Sequence, residues 1–151
     1  MSTKLTETRS CFKPFNYAWA YDSWLAHEQS HWLHTELSMA EDVKDWQRKL
    51  SSEEKAFLTN IFRFFTQGDI DVAGAYVDNY LPYFKQPEVR MMLCGFAARE
   101  ALHVAAYSHL IETLGMPEST YNEFLEYEAM REKHEYLVEL SADSSSRESI
   151  A

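Results

Sequence analysis

The sequence predicts an all-α fold, and three observations predict it. Apolar residues recur at helical spacing over two long stretches. Only four Gly and four Pro interrupt 151 residues, which disfavours a turn-rich β fold. Start and stop signals bracket the stretches: Ser51 with Glu54 as a capping box, Pro87 at a first turn, and Gly115 just past a last turn.

Taken in order, residues 1–16 read as an irregular segment. Tyr17 to about Glu36 reads as a first helix, with Trp19, Trp24, Leu25, His31 and Trp32 among its bulky positions. Leu37–Leu50 is a mixed connection with short helical potential near Glu41–Trp46. Ser51 then caps a helix that runs to Phe84. Gly68 and Gly74 lie inside it, each costing about 1 kcal/mol relative to Ala. They mark either a distortion such as a π-bulge beside Asp69 or a close helix contact. Pro87 opens the next helix and Gly115 closes it. Pro117 starts a fourth, Glu118 to about Leu140, with Tyr121, Phe124, Leu125, Met130, Tyr136 and Leu137 as apolar positions. Residues 141–151 are polar and Ser-rich and offer no apolar face, so they are expected to be a solvated or disordered tail. The organisation is one helical domain over 17–140, with an irregular segment before it and the tail after it.

Composition bounds the function. Hydrophobic residues are 46% and aromatics 15%, enough for a moderate core in one domain. The formal charge of −10 argues against nucleic-acid binding, which needs a basic footprint, and against an anionic membrane surface. No apolar run reaches a bilayer-spanning length, and MSTKLTETRS lacks a signal-peptide core, so the cytoplasm is the expected location. Cys11 and Cys94 form no CxxC, and Cys94 reads as a small core residue.

The chemistry lies on the two long helices. One stripe is Val89, Met92, Phe96, Glu100, His103, Tyr107, Leu110 and Leu114; its steps are three or four residues throughout. The other is Leu58, Phe62, Phe65, Asp69, Val72, Tyr76 and Tyr80. Each places charge inside an apolar face, where an uncompensated polar group costs on the order of 2–7 kcal/mol. A metal ion held by Asp69, Glu100 and His103 would compensate. One acid plus a Glu-x-x-His is half of the ligand set of a carboxylate-bridged dimetal site in a helical bundle. The bland alternative is a hydrogen-bonded core histidine and a carboxylate at the edge of its stripe. His27, His31 and His34 carry no matching carboxylate pattern, His109 and His134 have exposed-looking neighbours, and Asp71 lies off the face of Asp69.

Phe64-Phe65-Thr66-Gln67-Gly68-Asp69-Ile70-Asp71, followed 31 residues after Asp69 by Glu100-Ala101-Leu102-His103-Val104-Ala105-Ala106-Tyr107, resembles the small (beta) subunit of class I ribonucleotide reductase. The resemblance runs from about Tyr17 through Met130. It implies a ferritin-like helical bundle, here incomplete, with N-terminal helices only. It implies a dinuclear iron (or manganese–iron) centre that reacts with dioxygen and oxidises a nearby tyrosine to a radical. Asp69, Glu100 and His103 would be metal ligands, Tyr107 the radical site and Trp32 a member of the electron path. The radical would serve the large (alpha) subunit, which reduces ribonucleotides to deoxyribonucleotides. Full-length members are expected to be homodimers.

The family pattern has a second carboxylate and a second Glu-x-x-His, and this sequence ends before either. The expectation is an N-terminal fragment, lacking also the tail that docks on the large subunit. Such a chain would need a complementing C-terminal chain for activity. Two other readings stay open: a different ferritin-like dimetal oxidase, and a metal-free helical interaction fragment.

Overall fold

A computed structural model describes residues 4–142, and no strand occurs among them. The order is α1 (Ala18–Gln29), a 3-10 turn at His34–Glu36, α2 (Ala40–Arg48) and α3 (Ser52–Gly74). A π-helical stretch over Ala75–Tyr80 follows, then the single turn α4 (Leu81–Tyr83) and α5 (Pro87–Thr113). The last elements are α6 (Ser119–Asn122), a 3-10 turn at Glu123–Glu126 and α7 (Glu128–Ala142).

The local signals act as their chemistry requires. The Ser51 N–H donates to Glu54 Oε2 at 2.8 Å, and the Glu54 N–H donates to Ser51 Oγ at 3.2 Å, a reciprocal capping box. Beyond α5, Gly115 takes φ of 71°. Its N–H reaches the Glu112 carbonyl and the Met116 N–H reaches that of Ile111, so the free carbonyls of the last turn are satisfied in a Schellman motif.

Four expectations about the helices need correction. The first helix stops at Gln29 rather than Glu36, leaving His31 and Trp32 outside it. Arg99 donates to the carbonyls of His27 and Ser30, both at 2.9 Å, which a longer helix would have used internally. The long middle helix does become π-helical just after one of the two glycines, Gly74, but it stays α-helical through Gly68 and Asp69. Neither Gly68 nor Gly74 marks a close approach; the close approach is at Gly95, where a Cβ would lie 3.1 Å from Trp24 Cδ1. The fourth helix is broken between Asn122 and Glu128, because Arg63 Nε takes the Thr120 carbonyl at 3.0 Å, an acceptor that a continuous helix would need. Its last segment runs to Ala142, and the remainder of the Ser-rich tail lies outside the described residues.

Burial departs from expectation on every long element: Trp19 and Leu25 of the first helix and Leu125, Tyr136 and Leu137 of the fourth are exposed. Cys94 is exposed, not core. On the stripe around Asp69, Phe65 and Val72 are 43% and 38% exposed.

The chain divides into two compact units. One draws on residues up to His31, Val72–Glu100 and the end of α7 from Glu139. Its core is Ala20, Val89 and Leu93, with Leu5, Tyr17, Tyr76, Tyr80, Phe84 and Met92 packed on it. The N-terminal segment is tied down by buried polar groups. Gln86 Nε2 donates to the carbonyls of Lys4 and Glu7, and Glu88 accepts N–H groups of Asn16 and Tyr17. The other unit comprises Trp32–Asp71 and Ala101–Val138. There Ile111, Leu114 and Phe124 are buried. Arg63, also buried, joins α3 to the 120–127 segment through Thr120, the Tyr127 hydroxyl and an ion pair with Glu123.

Candidate metal centre

Asp69 stands on α3, and its Oδ2 lies 4.0 Å from His103 Nδ1 on α5. Glu100 precedes His103 by three residues on the same unbroken helix, so helical periodicity alone puts both on one face. Asp69, Glu100 and His103 each offer one ligand atom, all within 4.8 Å of one another, and all three residues are half-buried. The donors are two carboxylates and an imidazole, a set suited to manganese, iron or zinc.

Two aromatic side chains flank His103. Trp32, though beyond α1, stacks near it with ring centroids 6.3 Å apart and an interplanar angle of 26°. Tyr107, one turn further along α5, stacks on Phe65 at 5.8 Å and 3°. Its phenol ionises above the ordinary 10.0, raised first by burial and then by the Asp69 carboxylate. Tyr76 is raised likewise, first by burial, then by Glu100 and Tyr80.

Sequence reasoning missed one pair here. Asp71 Oδ2 and His134 Nδ1 lie 2.9 Å apart, Gln67 Nε2 donates to Asp71 Oδ1 at 3.2 Å, and Phe124 meets the His134 ring edge-on. The i,i+4 spacing of Gln67 and Asp71 was a legible signal; the partner on α7 was not. His27 is also engaged, its Nε2 3.1 Å from the Gly95 carbonyl.

Comparison with known proteins bears on this geometry. Residues 9–151 match the family described as "Ribonucleotide reductase, small chain". The chain is 56% identical over 137 residues to a probable ribonucleoside-diphosphate reductase small subunit of Invertebrate iridescent virus 6, covering 91% of this chain and 38% of that one. It is 58% identical over 134 residues to the corresponding protein of Invertebrate iridescent virus 3, covering 89% and 35%. Among solved structures, the dimanganese(II)-NrdF of Streptococcus sanguinis superposes with a TM-score of 0.78 at 20% identity, over 92% of this chain and 50% of that one. The R2 subunit of Clostridium botulinum gives 0.76 at 23% identity, over 83% and 40%. At such identities these structures speak for the fold, which is the ferritin-like helical fold. The chain thus spans well under half the length of the curated relatives it matches so closely. With the family matched over nearly all of its residues, the chain belongs to the ribonucleotide reductase small-chain family.

Proposed function

We propose that this chain supplies part of a ribonucleotide reductase small subunit, and with it half of a dinuclear metal centre. Asp69, Glu100 and His103 are the ligands, Tyr107 is the residue oxidised to a radical, and Trp32 belongs to the electron path toward the large subunit. The observation that carries this reading is the convergence of three donors of the right chemistry within 4.8 Å. The dimanganese relative of the same fold supports it, and iron and manganese both suit these donors.

When bound, the metals would activate dioxygen, the oxidant that takes the electron in one-electron oxidation of a phenol. The residues of this chain do the rest. Asp69 and Glu100 bring negative charge to balance the cations, and His103 adds a neutral donor. The Tyr107 phenol, raised above its ordinary value first by burial and then by the Asp69 carboxylate, is protonated at neutral pH as any phenol is, so its electron leaves together with its proton. Phe65 stacks parallel and offset on the ring. The partners are the large subunit, a second copy of the small subunit, and the helices that carry the other ligands. The cytoplasm is the proposed location; no helix among the described residues is long and apolar enough to cross a membrane.

Manganese(II) titration of the purified chain, followed by the electron paramagnetic resonance signal of the free ion, tests the ligand set. Wild type should retain about one ion, and Asp69→Asn or His103→Ala should weaken retention about tenfold or more. Retention that is equal in wild type and both variants would overturn the assignment.

A further inference from the structure

Two imidazoles meet in the unit that comprises Trp32–Asp71 and Ala101–Val138. His34 opens the 3-10 turn His34–Glu36, and His109 lies on α5. Their ring centroids are 5.5 Å apart, with planes tilted by 60°. We propose that His34 and His109 bind a divalent transition-metal ion of the zinc class, at a site separate from the carboxylate cluster, and that the ion clamps the turn onto α5.

Three observations lead there. First, His34 Nδ1 is buried and has no hydrogen-bond partner among the described residues. Buried polar atoms in folded proteins nearly always have a partner, and an orphan calls for one, such as an ion. Its neighbour is another imidazole, which could have shared an N–H···N hydrogen bond with that nitrogen and does not. A neutral imidazole carries one nitrogen lone pair, and a single cation can accept one from each of two rings. Second, the spacing fits. Zinc binds imidazole nitrogen at about 2.0–2.1 Å, so two rings on one tetrahedral ion have centroids roughly 5 Å apart. Third, the other half-buried histidines are committed elsewhere. His27 meets the Gly95 carbonyl, His103 lies near Asp69, and His134 meets Asp71.

The pair is distinct from the first centre in position and in preference. His109 follows His103 by six residues on α5, which turns it about 120° around the helix. Imidazole alone suits zinc, copper and nickel, whereas carboxylates draw manganese. Glu112 follows His109 by three residues, shares its face and is exposed, so a carboxylate and water can complete the shell.

Zinc binding here does not rest on the metal centre proposed above, and the test is arranged to keep the two apart. The probe is zinc(II) alone, titrated calorimetrically into the 151-residue chain carrying His103→Ala. That chain should bind one zinc and melt at a higher temperature with it, because the ion binds only the folded state. Adding His34→Gln or His109→Gln should weaken binding about tenfold or more and abolish the thermal shift. Adding His31→Gln, an exposed histidine outside the pair, should change neither. Circular dichroism verifies folding. If the His103→Ala chain does not fold, ring-nitrogen NMR of the wild type takes its place, and zinc should move the His34 and His109 signals together. Absent binding, binding that survives both substitutions, a loss as large with His31→Gln, or unmoved His34 and His109 signals would overturn the proposal. Manganese retention lost with zinc binding kept removes only the first centre; the converse removes only the histidine pair.

Discussion

The Glu88 carboxylate accepts the backbone N–H of Tyr17 at 2.9 Å, tying the start of α5 to a residue 71 positions earlier. The same oxygen accepts the Asn16 N–H at 2.7 Å and lies 3.8 Å from Arg9 Nη1. Glu88 is fully buried, and its other oxygen has no hydrogen-bond partner. Burial alone would raise its pKa. Hydrogen bonds from its own backbone, Tyr17 and Asn16, with the charge of Arg9, outweigh burial and hold it below the ordinary 4.5. Glu88→Ala strands two backbone donors and removes the carboxylate beside the Arg9 guanidinium, which keeps the Cys11 carbonyl as an acceptor, and should destabilise by about 3–5 kcal/mol in urea denaturation.

The pH dependence has a definite sign. The folded pKa lies below the unfolded one, so the stabilisation is present above about 4.5 and is lost as pH falls through the folded value. The stability gap between wild type and Glu88→Gln should therefore narrow on acidification. A gap constant from neutral pH to below pH 4 would contradict this account.

The Asp71–His134 contact gives a second prediction. The pair is partly buried, with side chains 14% and 30% exposed, and it links α3 to α7. A double-mutant cycle with Asp71→Asn and His134→Leu should give a coupling of about 0.5–2 kcal/mol. Additive single effects would show that the contact carries no energy.

What was legible in the sequence follows from range. The capping box, the Gly115 terminus and the shared face of Glu100 and His103 involve residues three or four apart, and local geometry determines them. Asp69 was legible because a charge on an apolar stripe needs a partner. The end of α1 was not, because the group that takes its carbonyls is Arg99, some 70 residues later. The break after Asn122 depends on Arg63 in the same way. Cys94 was misplaced because the apolar composition of α5 hides which of its faces is covered. Asp71 was set aside for lying off the face of Asp69, yet that other face is the one that meets His134.

Gly115 offers a third prediction. With φ of 71° and open space around its Cβ position, Gly115→Ala meets no clash and pays only the left-handed conformation. That cost is about 1–2 kcal/mol, read as reduced stability in urea. Gly68→Ala, in open space within the body of α3, should instead be neutral or stabilising by up to about 1 kcal/mol. The two alanine substitutions should thus move stability in opposite directions.

The last prediction concerns the radical. Among the described residues, a single cluster of three donors is suited to a metal: Asp69, Glu100 and His103. Dimetal carboxylate sites of bundle type draw on a second carboxylate and a second Glu-x-x-His as well. This chain alone should hold an ion at its half of the centre without oxidising Tyr107. Ferrous iron and oxygen added to the purified chain should give no tyrosyl signal by electron paramagnetic resonance. The signal should appear when a chain carrying the remaining helices of a close relative is added, and vanish again with Tyr107→Phe. Trp32→Phe should leave radical formation in the complemented protein intact while slowing its transfer to the large subunit, since the Trp32 ring stacks on His103 and not on Tyr107. A stable signal from the isolated chain, abolished by Tyr107→Phe, would show that three ligands suffice, for instance as two copies about a two-fold axis. Silence after complementation, with manganese still retained, would remove Tyr107 from its role and leave the metal ligands in theirs.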